Sequence, residues 1–276
     1  MSVEPQSPPS SSPSSALIAA PPASSIPPRR VRVDLVDVII TIAALTARAL
    51  LGRRRTILML LLAGAPVALG FLVRLGGTRP NALPLTLDGL VASAVLPLVA
   101  LVFGTAALGS DLDDGTAVHI LTKPIPRWTI VVPKIAVAGG MTAILLFPAT
   151  IVAGILVGGT GARELGLTLA FAIAVLIGSF VYATIFVALG AATSRGLVIG
   201  LAYSLIWEGL LSGALKGTQL FSVREYLRGI AATLAPPRAV SSIVGANGFV
   251  LALVAIVVIA ALASWKLARY ETRAAE

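Results

Sequence analysis

Residues 111–134 read DLDDGTAVHILTKPIPRWTIVVPK, and this polar stretch interrupts a chain that otherwise looks lipid-soluble. Residues 89–110 before it and residues 135–162 after it carry no charge at all. A helix needs about 20 apolar residues to cross a hydrocarbon core of about 30 Å, and both runs are long enough. The insert is therefore a loop between two membrane spans, and the fold follows from finding more such runs.

Residues 56–73 and 165–194 are likewise uncharged, as are residues 239–265, while residues 196–215 are broken only by Glu208. The expectation is an all-α integral membrane protein with six transmembrane helices. Composition agrees: 57% of the residues are hydrophobic, 12% are charged, and the mean hydropathy is +0.96. A soluble domain carries about 25% charge. The chain has no cysteine and a single histidine, His119. That removes disulfides, thiolate metal sites, cysteine nucleophiles and multi-histidine metal centres.

Residues 1–30 are rich in serine and proline and nearly uncharged, too apolar-poor to offset the entropy of ordering. They predict a disordered cytoplasmic tail, without the basic start and continuous apolar stretch of a secretory signal. Residues 31–270 form the expected six-span domain, and residues 271–276 a second short tail. The net charge of +9 raises the possibility of nucleic acid. The basic residues flank apolar runs, however, which points to membrane topology and to no nucleic-acid partner.

Six spans put both termini on one side, and positive charge decides which. With the N-terminus inside, fourteen of the 21 basic residues are cytoplasmic and seven are not, with Arg53, Arg54 and Arg55 abutting the first span. The expected location is the cell's inner (plasma) membrane with both termini cytoplasmic. Residues 34–52 read as an interfacial helix: Asp34, Asp37, Thr41 and Arg48 share one stripe, and Leu35, Val38, Ile39, Ile42 and Leu45 cover the rest. A short external helix is expected between spans five and six. Ser222 and Glu225 have capping-box spacing, Val223 to Leu234 keep helical periodicity, and Pro236–Pro237 end the run.

Within the insert, Asp111, Asp113 and Asp114 place negative charge before a short helix with unpaired backbone N–H groups. Gly115 and Thr116 can turn the chain out of the second span. Pro124 halts the short helix, and Pro126 suits the first turn of the next. These residues resemble the cytoplasmic loop in the permease subunits of type-2 ABC transporters. Gly115, Thr116, Leu121, Thr122, Pro124, Ile125, Arg127 and Lys134 stand at matching positions, whereas Ala117, Pro126 and Pro133 depart from the pattern.

The resemblance implies that this loop is a coupling helix docking on a cytoplasmic ABC ATPase. Asp111, Asp113, Asp114, Gly115, Thr116, His119, Leu121, Pro124, Arg127 and Lys134 would then be the coupling residues. It also implies two ATPase copies holding ATP and Mg, a second permease (identical or paralogous), and surrounding membrane lipid. The chain has no Gly-x-x-x-x-Gly-Lys-Ser/Thr phosphate loop. It is therefore expected to bind no cofactor or metal and to have no catalytic site of its own.

Glu208 reads as the one ionisable residue inside a span. Such carboxylates are costly and face a cavity or a partner. In the resembled family the first and fifth spans line the dimer seam and substrate path, which nominates Glu208, Gly209 and Gly213. The alternative is a hydrogen-bonded structural glutamate. The glycine pairs 154/158, 196/200 and 209/213 permit close helix approach. Two other function classes stay open: a regulatory or scaffold membrane subunit, and an intramembrane enzyme. The enzyme class wants paired aspartates, a Ser/His dyad or a histidine-held metal that this sequence does not offer.

Overall fold

A computed structural model describes residues 35–77, 81–113, 128–193, 195–211, 221–235, 240 and 242–274. The predicted tail 1–30 and residues 114–127 of the polar insert lie outside them. All regular structure among the described residues is helical. Helix α1 spans Leu35–Leu50 and α2 spans Arg53–Gly76. Helix α3 starts as a short α-helix at Ala82–Pro84, turns π-helical over Leu85–Val95, and is α-helical again over Leu96–Asp113. Helix α4 spans Trp128–Gly158 and α5 spans Ala162–Ala192. Helix α6 is α-helical over Gly196–Ala202 and π-helical over Tyr203–Leu211. Helices α7 and α8 span Val223–Leu234 and Asn247–Ala274.

Among the described residues five helices are long and apolar enough to cross a membrane: Thr56–Gly76, Ala82–Leu108, Trp128–Gly158, Ala162–Ala192 and Asn247–Leu267. The expected fifth of six spans is present as a shorter apolar helix, Gly196–Glu208. The chain leaves helix at Thr193, where the backbone is extended, and re-enters it at Gly196, where the expected span begins. The helix then continues past Glu208 to Leu211 in π-helical form. Residues 212–215 of the expected span lie outside the described residues.

Helix α5 is the hub, packing against α3, α4, α6, α7 and α8. Its Phe171, Tyr182 and Phe186 are wholly buried. Helices α2 and α8 stand at the edge and expose Leu60, Leu61, Phe71 and Leu72, and Val250, Leu253, Val257 and Leu262 respectively. Apolar side chains outside and inside alike are what a bilayer solvent requires.

Hydroxyls in the interior stay satisfied by bonding back along their own helices. Thr105, Thr142, Thr150, Ser179 and Thr184 each donate to the carbonyl four residues earlier, at 2.6–2.8 Å. The glycine pairs pack within the chain: a Cβ at Gly158 would stand 2.7 Å from Leu83, and one at Gly196 would stand 3.1 Å from Gly190. Gly154 and Gly200 are filled in the same way by Thr168 and Leu101.

The two π-helical stretches were not expected from sequence. The first ends directly before Pro97, whose ring crowds the carbonyl four residues back in an α register. A wider turn relieves that contact, and the Leu96 N–H accordingly bonds the Val91 carbonyl, five residues back. The second has no proline, and nothing local accounts for it.

The predicted interfacial helix forms as α1, with Asp37, Thr41 and Arg48 exposed and Thr46 and Leu50 buried against the bundle. It packs chiefly on α4.

Candidate functional site

The polar residues gather at two places that lie far apart along α3. The first is the pair of stems that carry the polar insert. Asp111 and Asp113 close α3, and Trp128 opens α4. Asp114, Gly115, Thr116, His119, Leu121, Pro124 and Arg127 lie outside the described residues.

Lys134 lies among the described residues. It is 3% exposed, and its Nζ donates to the Ala107 carbonyl of α3. The reason is the run Trp128–Lys134, which is helical, so that α4 opens seven residues before the uncharged run. That extension carries the lysine into the bundle, where a buried ammonium must find an oxygen.

The second place is the junction of α3, α6 and α7. Glu208 stands in the π-helical part of α6 and is fully buried. Its Oε2 accepts from Ser222 Oγ at 2.7 Å and from the Arg224 N–H at 3.3 Å. Its Oε1 accepts from the Val223 N–H at 2.8 Å and from Tyr203 Oη at 3.3 Å. Val223 and Arg224 are the first two residues of α7, whose N–H groups have no partner within the helix. A carboxylate there satisfies those donors and faces the positive end of the helix dipole.

Glu208 is thus fully buried and bonded to groups of its own chain. Gly209 follows it in the same helix, and Gly213 lies outside the described residues. The Tyr182 hydroxyl is buried beside Glu208.

The capping box is also corrected. Helix α7 forms where its periodicity predicted, but Ser222 makes no side-chain cap bond; its hydroxyl serves Glu208. Glu225 turns away and accepts from Ser242 Oγ at 2.8 Å and the Ile243 N–H at 2.9 Å. An imported carboxylate replaces the local box because the N-terminus of α7 is buried in the bundle, where water cannot complete it.

Asp88 was missed from sequence, where it sat just outside an uncharged run. It lies in the π-helical part of α3, inside a candidate span. Arg224 and Arg228 both approach it as forks. Arg224 donates from Nε at 3.3 Å and Nη2 at 2.8 Å, and Arg228 from Nε at 3.1 Å and Nη2 at 2.8 Å. Burial opposes the charge on Arg228. The bonds and charge of Asp88, with Glu225 behind it, outweigh that and hold the guanidinium above the ordinary arginine range. The four-residue spacing of Arg224 and Arg228 on one helix face was the available signal.

Glu208 is therefore not the sole ionisable residue within the apolar helices, since Asp88 and Lys134 join it. Among the described residues no cluster of three or more acids and histidines could hold a metal.

Residues 51–208, more than half of the chain, match the family model described as ABC-2 family transporter protein. The chain belongs to the ABC-2 transporter family. No curated protein matches the chain. The matched region runs from the start of α2 to Glu208 and so includes both stems of the polar insert. As an ABC-2 membrane component with several apolar helices, the protein is a multi-pass permease that works with an ABC ATPase subunit.

Proposed function

We propose that this ABC-2 permease is one half of the membrane part of an ATP-driven exporter. Two separate ATPases hold ATP and Mg, and a second permease, identical or paralogous, completes the path. The observation that carries this reading is the family match spanning α3, the polar insert and α4 without a break. The excess of basic residues at that end supports a cytoplasmic insert, and α7 then belongs to the outer half. With no phosphate loop in the chain, the energy comes from the partner subunit. The insert, with its acidic start at Asp111, Asp113 and Asp114 and its Arg127, docks on that subunit.

The closely packed stems suit the task. Lys134 ties α4 to α3 near the insert, so a displacement of the insert moves two spans together. The test is charge reversal in the full complex. Asp114→Arg and Arg127→Glu should each abolish permease-stimulated ATPase activity while the protein still inserts in the membrane. Stimulation equal to the parent in both variants would defeat the coupling role. Copurification of the chain with a stand-alone ATPase is the companion measurement.

A further inference from the structure

Helix α1 has sides of different character. At about 100° per residue, Asp37, Thr41 and Arg48 share one exposed stripe, while Thr46 and Leu50 lie buried on the opposite side. Two flanks run between them, with Val36 and Ile40 on one and Leu45 on the other, and all three side chains are exposed. A helix with polar residues opposite its protein contact and apolar residues on both flanks suits the boundary between lipid headgroups and acyl chains.

Charge along this element is lopsided. Asp37 stands near its start, and the next acid in the chain is Asp88. Arg48 follows in the last turn of α1, and Arg53, Arg54 and Arg55 open α2. That is an unfavourable place for cations, because the N-terminus of a helix carries the positive end of its dipole. The first turn of α2 has no acid, and its N-cap, Gly52, has no side chain to meet the free N–H groups. The Thr56 hydroxyl at the end of that turn is buried and has no hydrogen-bond partner among the described residues. Thr46 and Thr86, by contrast, donate to the carbonyl four residues back. The turn is rich in donors and positive charge, and no acid near it in sequence answers them.

What stands beside the arginines decides the class of anion. Leu51 precedes them, Ile57 and Leu58 follow, and all three are exposed. A free phosphate or an acidic protein surface would leave those apolar groups uncovered. A phospholipid supplies both parts at once, a phosphate for the guanidiniums and acyl chains for the apolar neighbours. Zwitterionic lipid brings its own cation, whereas four arginines without an acid call for net negative charge.

We propose that the elbow between α1 and α2, residues 48–58, binds anionic phospholipid headgroups and that this lipid holds α1 in its seat. Helix α1 packs chiefly on α4, the helix that follows the polar insert. A seated α1 therefore steadies the element through which the partner ATPase acts. That second step rests on the permease reading above; the lipid site does not.

The site is tested on the purified full-length permease, titrated with phosphatidylglycerol or phosphatidylcholine and read by native mass spectrometry. Phosphatidylglycerol should bind at least tenfold more tightly. An arginine near an anionic surface is worth roughly fivefold in affinity, so Arg48→Gln and Arg54→Gln should each weaken binding by about that factor. Arg54→Lys, which keeps the charge, should weaken it less. Single substitutions leave the remaining basic residues to set the orientation, which guards against failed insertion. An excess of inorganic phosphate should leave the lipid bound.

Equal binding of the two lipids, or parent-like binding in both glutamine variants, would overturn the site. Displacement by inorganic phosphate would overturn the lipid as its occupant. In the full complex, stimulated ATPase activity should fall at least fivefold when phosphatidylglycerol is left out of the phosphatidylcholine vesicles. Activity indifferent to lipid charge, with the binding preference intact, would overturn the steadying of α4 alone. Absence of stimulation in both kinds of vesicle would count against the ATP-driven reading and leave the lipid site standing.

Discussion

The two polar ends of this bundle are built on opposite principles. At the stems of the polar insert, the buried Lys134 joins α4 to the Ala107 carbonyl of α3. At the α7 junction, Asp88, Glu208 and Glu225 bind a whole helix through side chains and backbone from α3, α6 and the approach to α8. The first end is tied through a buried ammonium that links two spans, which suits transmission of force. The second is tied by carboxylates, arginines and backbone N–H groups together, which fixes the seat of a whole helix. Apolar packing alone would have served for mere cohesion at either end.

The comparison is broken most severely at the lysine. Lys134→Met keeps the length and apolar stem but removes the ammonium, while the Ala107 carbonyl stays within its helix. Stimulated ATPase activity should fall at least tenfold with insertion intact, because a charged hydrogen bond contributes about 1.5–3 kcal/mol to the tie. Full stimulation in this variant would mean that the stems move together without the lysine.

Next in size is Glu208→Ala. It leaves the N–H groups of Val223 and Arg224 unpartnered in a water-poor interior and should cost about 3 kcal/mol. Thermal unfolding in detergent would show this as a clear drop in Tm; an unchanged Tm would mean another acceptor takes over. Asp88→Asn should cost less, about 1–2 kcal/mol, since both arginines are partly exposed and screened. Its effect on unfolding should shrink in high salt, which the Glu208 variant should not show.

The smallest contrast sharpens the packing argument. Gly178→Ala forces a methyl onto Leu227 and should destabilise by about 1–3 kcal/mol. Gly140→Ala, on the same kind of helix but with nothing within 4 Å of the new methyl, should be neutral or gain up to about 1 kcal/mol. Equal unfolding temperatures for the two would remove the case for a tightly seated Leu227.

Much of the fold was legible because bilayer physics writes itself as long uncharged runs. Five of the expected spans and the position of α7 follow from run length and periodicity. The fifth expected span is described only as far as Leu211; its sequence marks Glu208 as a blemish in a run and cannot show a carboxylate completing another helix. Asp88 escaped for the same reason, since it borders a run and its partners are 136 and 140 residues away. Of the π-helical stretches, the first has Pro97 beside it and the second has no mark in the sequence. Lys134 matched a motif by position, yet its direction is set by how far α4 continues before Pro133, which spacing alone does not encode. The family itself was legible from Gly115, Thr116, Pro124, Arg127 and their neighbours.

The back-bonded hydroxyls of the interior have a mechanical consequence. Thr105, Thr142, Thr150, Ser179 and Thr184 spend their polarity on their own helices, so they add no rungs between neighbours. Helices meeting at those positions can shear past one another by exchanging one dispersion contact for the next, with no polar bond to rupture midway. The waist of the molecule is in that sense a low-friction bearing set between two toothed ends.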